Sequence, residues 1–492
     1  MTRVEPEIFV APFPGEPVFK SEGDQRDEAL YFDKMLKDRT AFCVGFSRDG
    51  QLIYGNAEFL DGRLGAHMNI SGISGVATKT SYALFLLYSL LNSEVIRNPA
   101  NSKAIIFNVK GEDLLWLDKP NCSPKLDAAA RERYQAAGLP VGPFPSVGIW
   151  APVHKDLSSM MPGSETRTEG VRAYAWSLAE FCRERLLRFL FAEGDNETSQ
   201  LSFVIRLVEE WLADRRPGAA VSEPDERGFL TISSTPRNAP SPSDATTIRS
   251  FHELAEAIER NIDRIAERAA GGTHQAFIRR LFDAVGTAGH LVRAIPPREE
   301  ERHRIRVLDD DGAGGNNQVT VIDINSLPDR AKRFVVGVVV RRLVQQKEAV
   351  GSGGAQVFLV LDELNKYAPR EGWSPIKEVI LDIAERGRSL GVILIGAQQT
   401  ASEIERRVTA NAAFRVAGRL DTAEAARPEY GFLTDAAKAR SSILKPGTMF
   451  IHQPEIPVPL LVQFPFPAWA TRKDEVDDAA SEDAPGLRGK LL

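Results

Sequence analysis

The chain has 492 residues, too many for one compact core, with 43% hydrophobic and 26% charged residues, so it folds as globular protein rather than as a disordered or fibrous chain. Three scattered cysteines, Cys43, Cys122 and Cys182, without CxxC spacing exclude a disulfide framework or a cysteine-rich zinc site, and seven dispersed histidines add no metal-ligand pair. The net charge of −6 carries no global nucleic-acid signature, and six acids without a base at 474–483 account for all of it.

Residues 1–65 read as a β-rich module, because Asp49-Gly50 separates two β-prone runs, Ala41–Phe46 and Gln51–Tyr54. From residue 66 apolar strands alternate with helical patterns, at His67–Ser71, Ala104–Val109, Val319–Ile324, Val357–Leu361, Val392–Gly396 and Phe414–Gly418. That alternation predicts an α/β fold with a parallel sheet covered on both faces. The core is expected at 66–168 and 291–470. A helical insertion is expected at 169–290, from the runs Val171–Ala192, Gln200–Arg215, Ile248–Ala269 and His274–Val285. Five prolines between Arg216 and Asp244 predict a long loop inside it. Residues 471–492 read as a flexible acidic tail. The apolar run Tyr82–Leu91 is about half the length that crosses a bilayer, and no signal peptide opens the chain, so a cytoplasmic protein without a membrane partner is expected.

Three segments carry chemistry. The first, Ser71-Gly72-Ile73-Ser74-Gly75-Val76-Ala77-Thr78-Lys79-Thr80-Ser81, lies between a strand and an apolar helix. Such a loop can surround phosphates with backbone N–H groups, with Lys79 reaching the β- and γ-phosphates of ATP and the Thr80 hydroxyl reaching Mg²⁺. Gly72, Gly75, Val76, Ala77, Thr78, Lys79, Thr80 and Ser81 are therefore the candidate nucleotide-binding residues. Thr78 occupies the place where the standard pattern has glycine, and both glycines lie one residue further from the lysine than usual. A polar glycine turn before a buried helix is the alternative. The second segment, Gln356–Glu363, is an apolar strand ending in two carboxylates: Asp362 would hold the metal, directly or through water, and Glu363 would orient or deprotonate the attacking water. A solvated strand end is the plainer alternative. The third runs through Arg386-Gly387-Arg388 and Ala397-Gln398-Gln399, where Gln398 could sense the γ-phosphate and an arginine could reach a neighbouring subunit's nucleotide.

Together with Asn108-Val109-Lys110-Gly111-Glu112, the segments LDELNKYAP at 361–369, RGRSLG at 386–391 and GAQQT at 396–400 resemble the HerA/FtsK group of ring-forming P-loop ATPases, and HerA-like proteins more closely. The resemblance covers roughly 40–165 and 275–465. It implies a RecA-like core with a small N-terminal β-barrel and a helical insertion, and a homohexamer that threads double-stranded DNA and works with a nuclease or another effector, in DNA-end processing or phage defence. By position it implies Lys79 and Thr80 as the Walker A pair, Asp362 and Glu363 as the Walker B pair, Gln398 as sensor and Arg388 as the arginine inserted into a neighbour's site. The family's Gln-Arg-Pro is here Gln398-Gln399-Thr400, which leaves that arginine without a counterpart. An ATP-binding oligomeric scaffold that turns over slowly is the alternative function.

Overall fold

A computed structural model describes residues 14, 15, 17, 21–73, 78–93, 95, 96, 102–191, 199–214, 219–233, 245–306, 308, 317–351 and 355–476. Its centre is a twelve-stranded sheet, and in spatial order the strands are Leu52–Asn56, Ala41–Phe46, Leu460–Gln463, Thr448–His452, Phe414–Ala417, Met68–Ser71, Val392–Gln398, Gln356–Asp362, Ser102–Asn108, Val319–Asp323, Val147–Pro152 and Val171–Tyr174. From Phe414–Ala417 onward all neighbours run parallel, and the first four strands pair antiparallel.

The central strands are apolar along their whole length because both of their faces are covered. Successive side chains alternate across the sheet, so Phe358 and Val360 enter one core while Val357, Leu359 and Leu361 enter the other. One face packs on the helix Thr78–Asn92, whose Tyr82 to Tyr88 run is buried all round. The other face meets the helices Asp329–Val350 and Pro375–Leu390, and its core continues into the insertion. Gly337 permits that continuity, since a Cβ there would lie 2.5 Å from the Phe189 ring. The helix Pro375–Leu390 begins where Ser374 accepts from the Lys377 N–H and ends at Gly391 in the left-handed region (φ 68°), both legible as cap signals.

The sheet and its flanking helices make the expected α/β fold, a mainly parallel sheet covered on both faces, and several expectations change in detail. The Asp49-Gly50 hairpin is present, but among the described residues it builds no separate barrel. It extends the main sheet through Phe46 opposite Gln463, because Phe42, Val44 and Phe46 bury against the same core as the helix Thr78–Asn92. Val171–Ala192 is not one helix: Val171–Tyr174 is the edge strand of the sheet, and the helix Leu178–Arg183 starts only at the capping box of Ser177 and Glu180. The β-branched and aromatic residues at 171–174 fit a pleated edge better than a helix interior. Val147–Pro152 is a further strand that no periodicity marked. The proline-rich loop contains Leu230–Ser233, which pairs with Ala245–Ile248. Residues 471–476 do not belong to a tail, since the Cys122 N–H donates to the Glu475 carbonyl and Glu475 Oε2 accepts from the Thr471 N–H. Among the described residues, no helix is long and apolar enough to cross a membrane.

Candidate functional site

The strand Met68–Ser71 continues in the chain to Ser102–Asn108, three places away in the sheet, and the strands ending in Gln398 and Asp362 fill the gap. The carboxyl ends of these strands therefore meet where the order reverses, the place at which open α/β sheets bind ligands. Register brings Gln398 opposite Ser71 and Asp362 opposite Ala397, so the tips lie level.

Gly72 leaves the first strand between two backbones. Its N–H donates to the Gln398 carbonyl, and a Cβ would lie 3.3 Å from both the Arg419 carbonyl oxygen and Gly418 Cα. Gly75, Val76 and Ala77 lie outside the described residues. The helix then begins at Thr78, and Lys79 turns inward with its Nζ donating to the Gly72 carbonyl at 2.7 Å. The lysine is buried; desolvation pushes its pKa down, and Asp362 acts against that shift. Thr80 Oγ1 donates to Asp362 Oδ2 at 2.9 Å, which joins residues 282 positions apart, and Ser81 is half-buried beside them. Asp362 is itself buried, and its other oxygen accepts from the Glu363 N–H at 2.8 Å. A hydroxyl and an ionisable carboxylate side by side, next to a buried lysine, form a donor set that fits a hard divalent cation on a polyphosphate. This contact excludes the plainer reading of Asp362 as a solvated strand end.

Glu363 adopts a left-handed backbone, φ 56°, an unusual conformation for a side chain of this size and one that costs on the order of 1–3 kcal/mol. Its carboxylate lies between two lysines, 3.0 Å from Lys110 Nζ and 2.9 Å from Lys366 Nζ. Burial alone would raise its pKa, but the hydrogen bonds from Lys366 and Lys110 prevail and hold it below the ordinary glutamate value. Lys110 comes from the turn after Ser102–Asn108. In the same turn the Asn108 amide donates to Asp323 Oδ1 at 2.8 Å and to the Gly111 carbonyl at 2.6 Å, while Glu112 ties down the backbone of Glu165 and Thr166. Asp323 is pushed up to about 6 by burial, against hydrogen bonds from the Asn325 N–H and from Asn108. Sequence reasoning missed the Lys366 contact, although its spacing of three residues from Glu363 on a helical turn was the available signal.

Gln398 is fully buried, and its Nε2 donates to Asn69 Oδ1 and, at 2.8 Å, to Ser71 Oγ. The side chain braces the strand Met68–Ser71, so direct γ-phosphate contact is not what this geometry shows. Its side-chain oxygen has no hydrogen-bond partner among the described residues.

Arg388 stands apart from all of these. It precedes the strand that ends in Gln398, so a seven-residue strand, roughly 20 Å, separates it from its own chain's Asp362. Its guanidinium is exposed and donates to the Gly62 carbonyl at 2.9 Å and to the Arg63 carbonyl. Arg386 is paired with Asp382 and, at 2.8 Å, with Glu348, which is an ordinary solvated ion pair. Further along the chain, Arg407 pairs with Glu385, and Arg419 donates to the Ser442 carbonyl.

A buried histidine joins these two regions. His67 has φ 65° immediately before the strand Met68–Ser71, and its Nδ1 accepts from the Leu394 N–H at 2.9 Å. Gly387 lies against it, where a Cβ would be 2.9 Å from the imidazole. Burial pushes the His67 pKa down to about 4. Below pH 6.5 the unfolded chain therefore takes up a proton that the folded chain refuses, and stability falls as pH drops towards 4. His67→Asn keeps an acceptor and tolerates the left-handed backbone. The variant is expected to remove about 2 kcal/mol of the stability difference between pH 7 and pH 5. Urea unfolding at both values checks this, and an unchanged difference would contradict it.

No protein-family model matches the chain, and no curated protein matches it. Solved structures similar to it include VirB4 of Thermoanaerobacter pseudethanolicus, at 16% identity over 86% of this chain and 96% of that one, with a TM-score of 0.46. The plasmid coupling protein TrwB in complex with ADP and Mg2+ matches at 12% identity over 90% and 94%, with a TM-score of 0.49. The genome packaging NTPase B204 from Sulfolobus turreted icosahedral virus 2, in complex with ATP-gammaS, matches at 14% identity over 30% and 68%, with a TM-score of 0.24.

Proposed function

We propose that this chain is an ATP-hydrolysing ring motor that moves double-stranded DNA, of the HerA/FtsK type and nearer to HerA-like proteins. The observation that carries the reading is the Thr80–Asp362 hydrogen bond beside buried Lys79, with Glu363 next in the chain, at the carboxyl edge where strand order reverses. Lys79 would leave the Gly72 carbonyl for the phosphates, and the loop backbone from Gly72 would cradle them. Thr80 and Asp362 would hold Mg²⁺, which supplies charge neutralisation for the polyphosphate when bound. Glu363 would accept the proton of the attacking water, and Gln398 would keep the loop strand in place through Ser71. Arg388 is too far from its own site to act there, which supports a role in the site of a neighbour and hence a ring, hexameric in this reading. A partner nuclease or other effector, in DNA-end processing or phage defence, belongs to the same proposal.

The test is ATP turnover with and without linear duplex DNA. Stimulation of roughly tenfold or more supports the motor, and turnover indifferent to DNA overturns it.

One observation favours a second reading, an ATP-binding oligomeric scaffold with slow turnover. Both oxygens of Glu363 are engaged by lysines, which opposes its use as a base. Lys110→Ala frees one oxygen and is expected to raise DNA-free turnover roughly three- to tenfold, the equivalent of about 1 kcal/mol. Steady-state kinetics check this, and an unchanged or lower rate means that the ion pair does not restrain hydrolysis.

A further inference from the structure

A cavity of about 630 Å³ opens between the loop that follows the strand Val147–Pro152 and the helical insertion. It lies beyond the carboxyl ends of Val147–Pro152 and Val319–Asp323, the same sheet edge as Lys79 but several strands away. Lys155, Arg249, His252, His290 and Arg293 line it, and among the described residues no aspartate or glutamate does. The rest of the wall is largely apolar, with Phe229 and Val285 half-open to the space. That combination, cations around an apolar wall in a cleft of this size, is how small organic anions are held.

The cations divide into two kinds. Arg293 is buried and fixed, with Nε donating to the His290 carbonyl at 2.6 Å, one terminal nitrogen to the Ser159 carbonyl at 2.6 Å and the other to the His154 carbonyl. It pins the 154–160 loop, so the wall is organised in advance and little ordering remains to be paid on binding. Burial, then the charges of Arg293 and Lys155, push His290 down to about 4. The exposed Lys155 and Arg249 extend from the rim. Arg249, Ser250 and His252 also stand at the start of the fifteen-residue helix Phe251–Ile265, whose dipole adds to the same sign. Three acids stand near the lining without entering it: Asp156 accepts from Ser158, Glu253 accepts from the Arg249 N–H, and Glu256 pairs with His252 at 3.3 Å, so among the described residues the uncompensated positive side is that of Lys155 and the Arg249 guanidinium.

We propose that this cavity is a second ligand site, separate from the Lys79 site, that takes a phosphorylated small molecule with an apolar or aromatic body, of the nucleoside monophosphate class. The phosphate group lies towards Lys155 and Arg249, and the body lies against Phe229 and Val285.

The probe is AMP, titrated calorimetrically into the full chain carrying Lys79→Ala, which silences the phosphate loop. Saturable binding below about 1 mM is expected, weakened at least tenfold by Lys155→Ala with Arg249→Ala, two exposed positions whose loss leaves the melting temperature unchanged. Gly286→Trp gives an independent check, because Gly286 lines the cavity and a Cβ there meets nothing within 4 Å, so the indole fills the space without disturbing the helix. AMP binding should be lost in that variant too. No binding, or binding that survives both sets of substitutions, overturns the proposal. Inorganic phosphate binding as tightly as AMP overturns the assignment of the apolar wall. None of these outcomes depends on hydrolysis at Glu363, so failure here is distinct from failure of the motor reading.

Discussion

Glu363→Gln is expected to lower ATP turnover at least a hundredfold, in line with the ~10²–10⁴ contributed by a positioned general base, while nucleotide affinity stays within about threefold. The carboxamide keeps the size of the side chain and can still accept one lysine hydrogen bond, but it cannot take a proton. The rest of the site is held by other bonds, Thr80 to Asp362 and Lys79 to the Gly72 carbonyl, in which the Glu363 side chain takes no part. Binding of a fluorescent ATP analogue and single-turnover hydrolysis separate the two quantities. A loss of binding equal to the loss of rate would make Glu363 structural and would remove it from the chemistry. Oligomeric state in the same variant discriminates the scaffold reading, which requires assembly to survive the substitution.

Arg388→Ala is expected to cost ~10³-fold in turnover, the scale of an arginine that neutralises transition-state charge from a neighbouring subunit. Among the described residues of its own chain the side chain makes two hydrogen bonds, to the carbonyls of Gly62 and Arg63, both at an exposed site, so folding should survive its removal. Mixing decides where it acts. Arg388→Ala subunits mixed with Glu363→Gln subunits should regain activity, because some interfaces then pair an intact Glu363 with an intact Arg388. Mixed rings as inactive as either parent would place Arg388 outside the reaction, as a tether of the 62–63 loop.

The sequence by itself determined the elements that repeat a simple pattern. The strands Ser102–Asn108, Gln356–Asp362 and Val392–Gln398 lie close to their expected places, because a strand buried on both faces must be apolar throughout and its ends fall at polar residues. Lys79, Thr80 and Asp362 were legible for a related reason: loop, hydroxyl and carboxylate are separate segments whose types already imply one ligand. What failed was local. Val171–Tyr174 carries four residues of pattern, too few to distinguish edge strand from helix, and Val147–Pro152 is masked by its glycine and proline.

Tertiary structure alone decided the rest, since long-range pairing cannot be read from a one-dimensional pattern. The antiparallel attachment of the N-terminal hairpin to Leu460–Gln463 depends on Gln463 meeting Phe46, more than four hundred residues away. The two lysines on Glu363 come from different strand ends, and only the fold brings Lys110 within 3.0 Å. Gln398 ends a strand as expected, yet whether its amide faces phosphate or protein depended on Asn69 and Ser71 offering it partners. Net charge, too, was uninformative at the level of the whole chain: folding gathers Lys155, Arg249 and Arg293 around one cavity. Charge close in space acts through the low dielectric between the groups, and the sequence sum contains no distances.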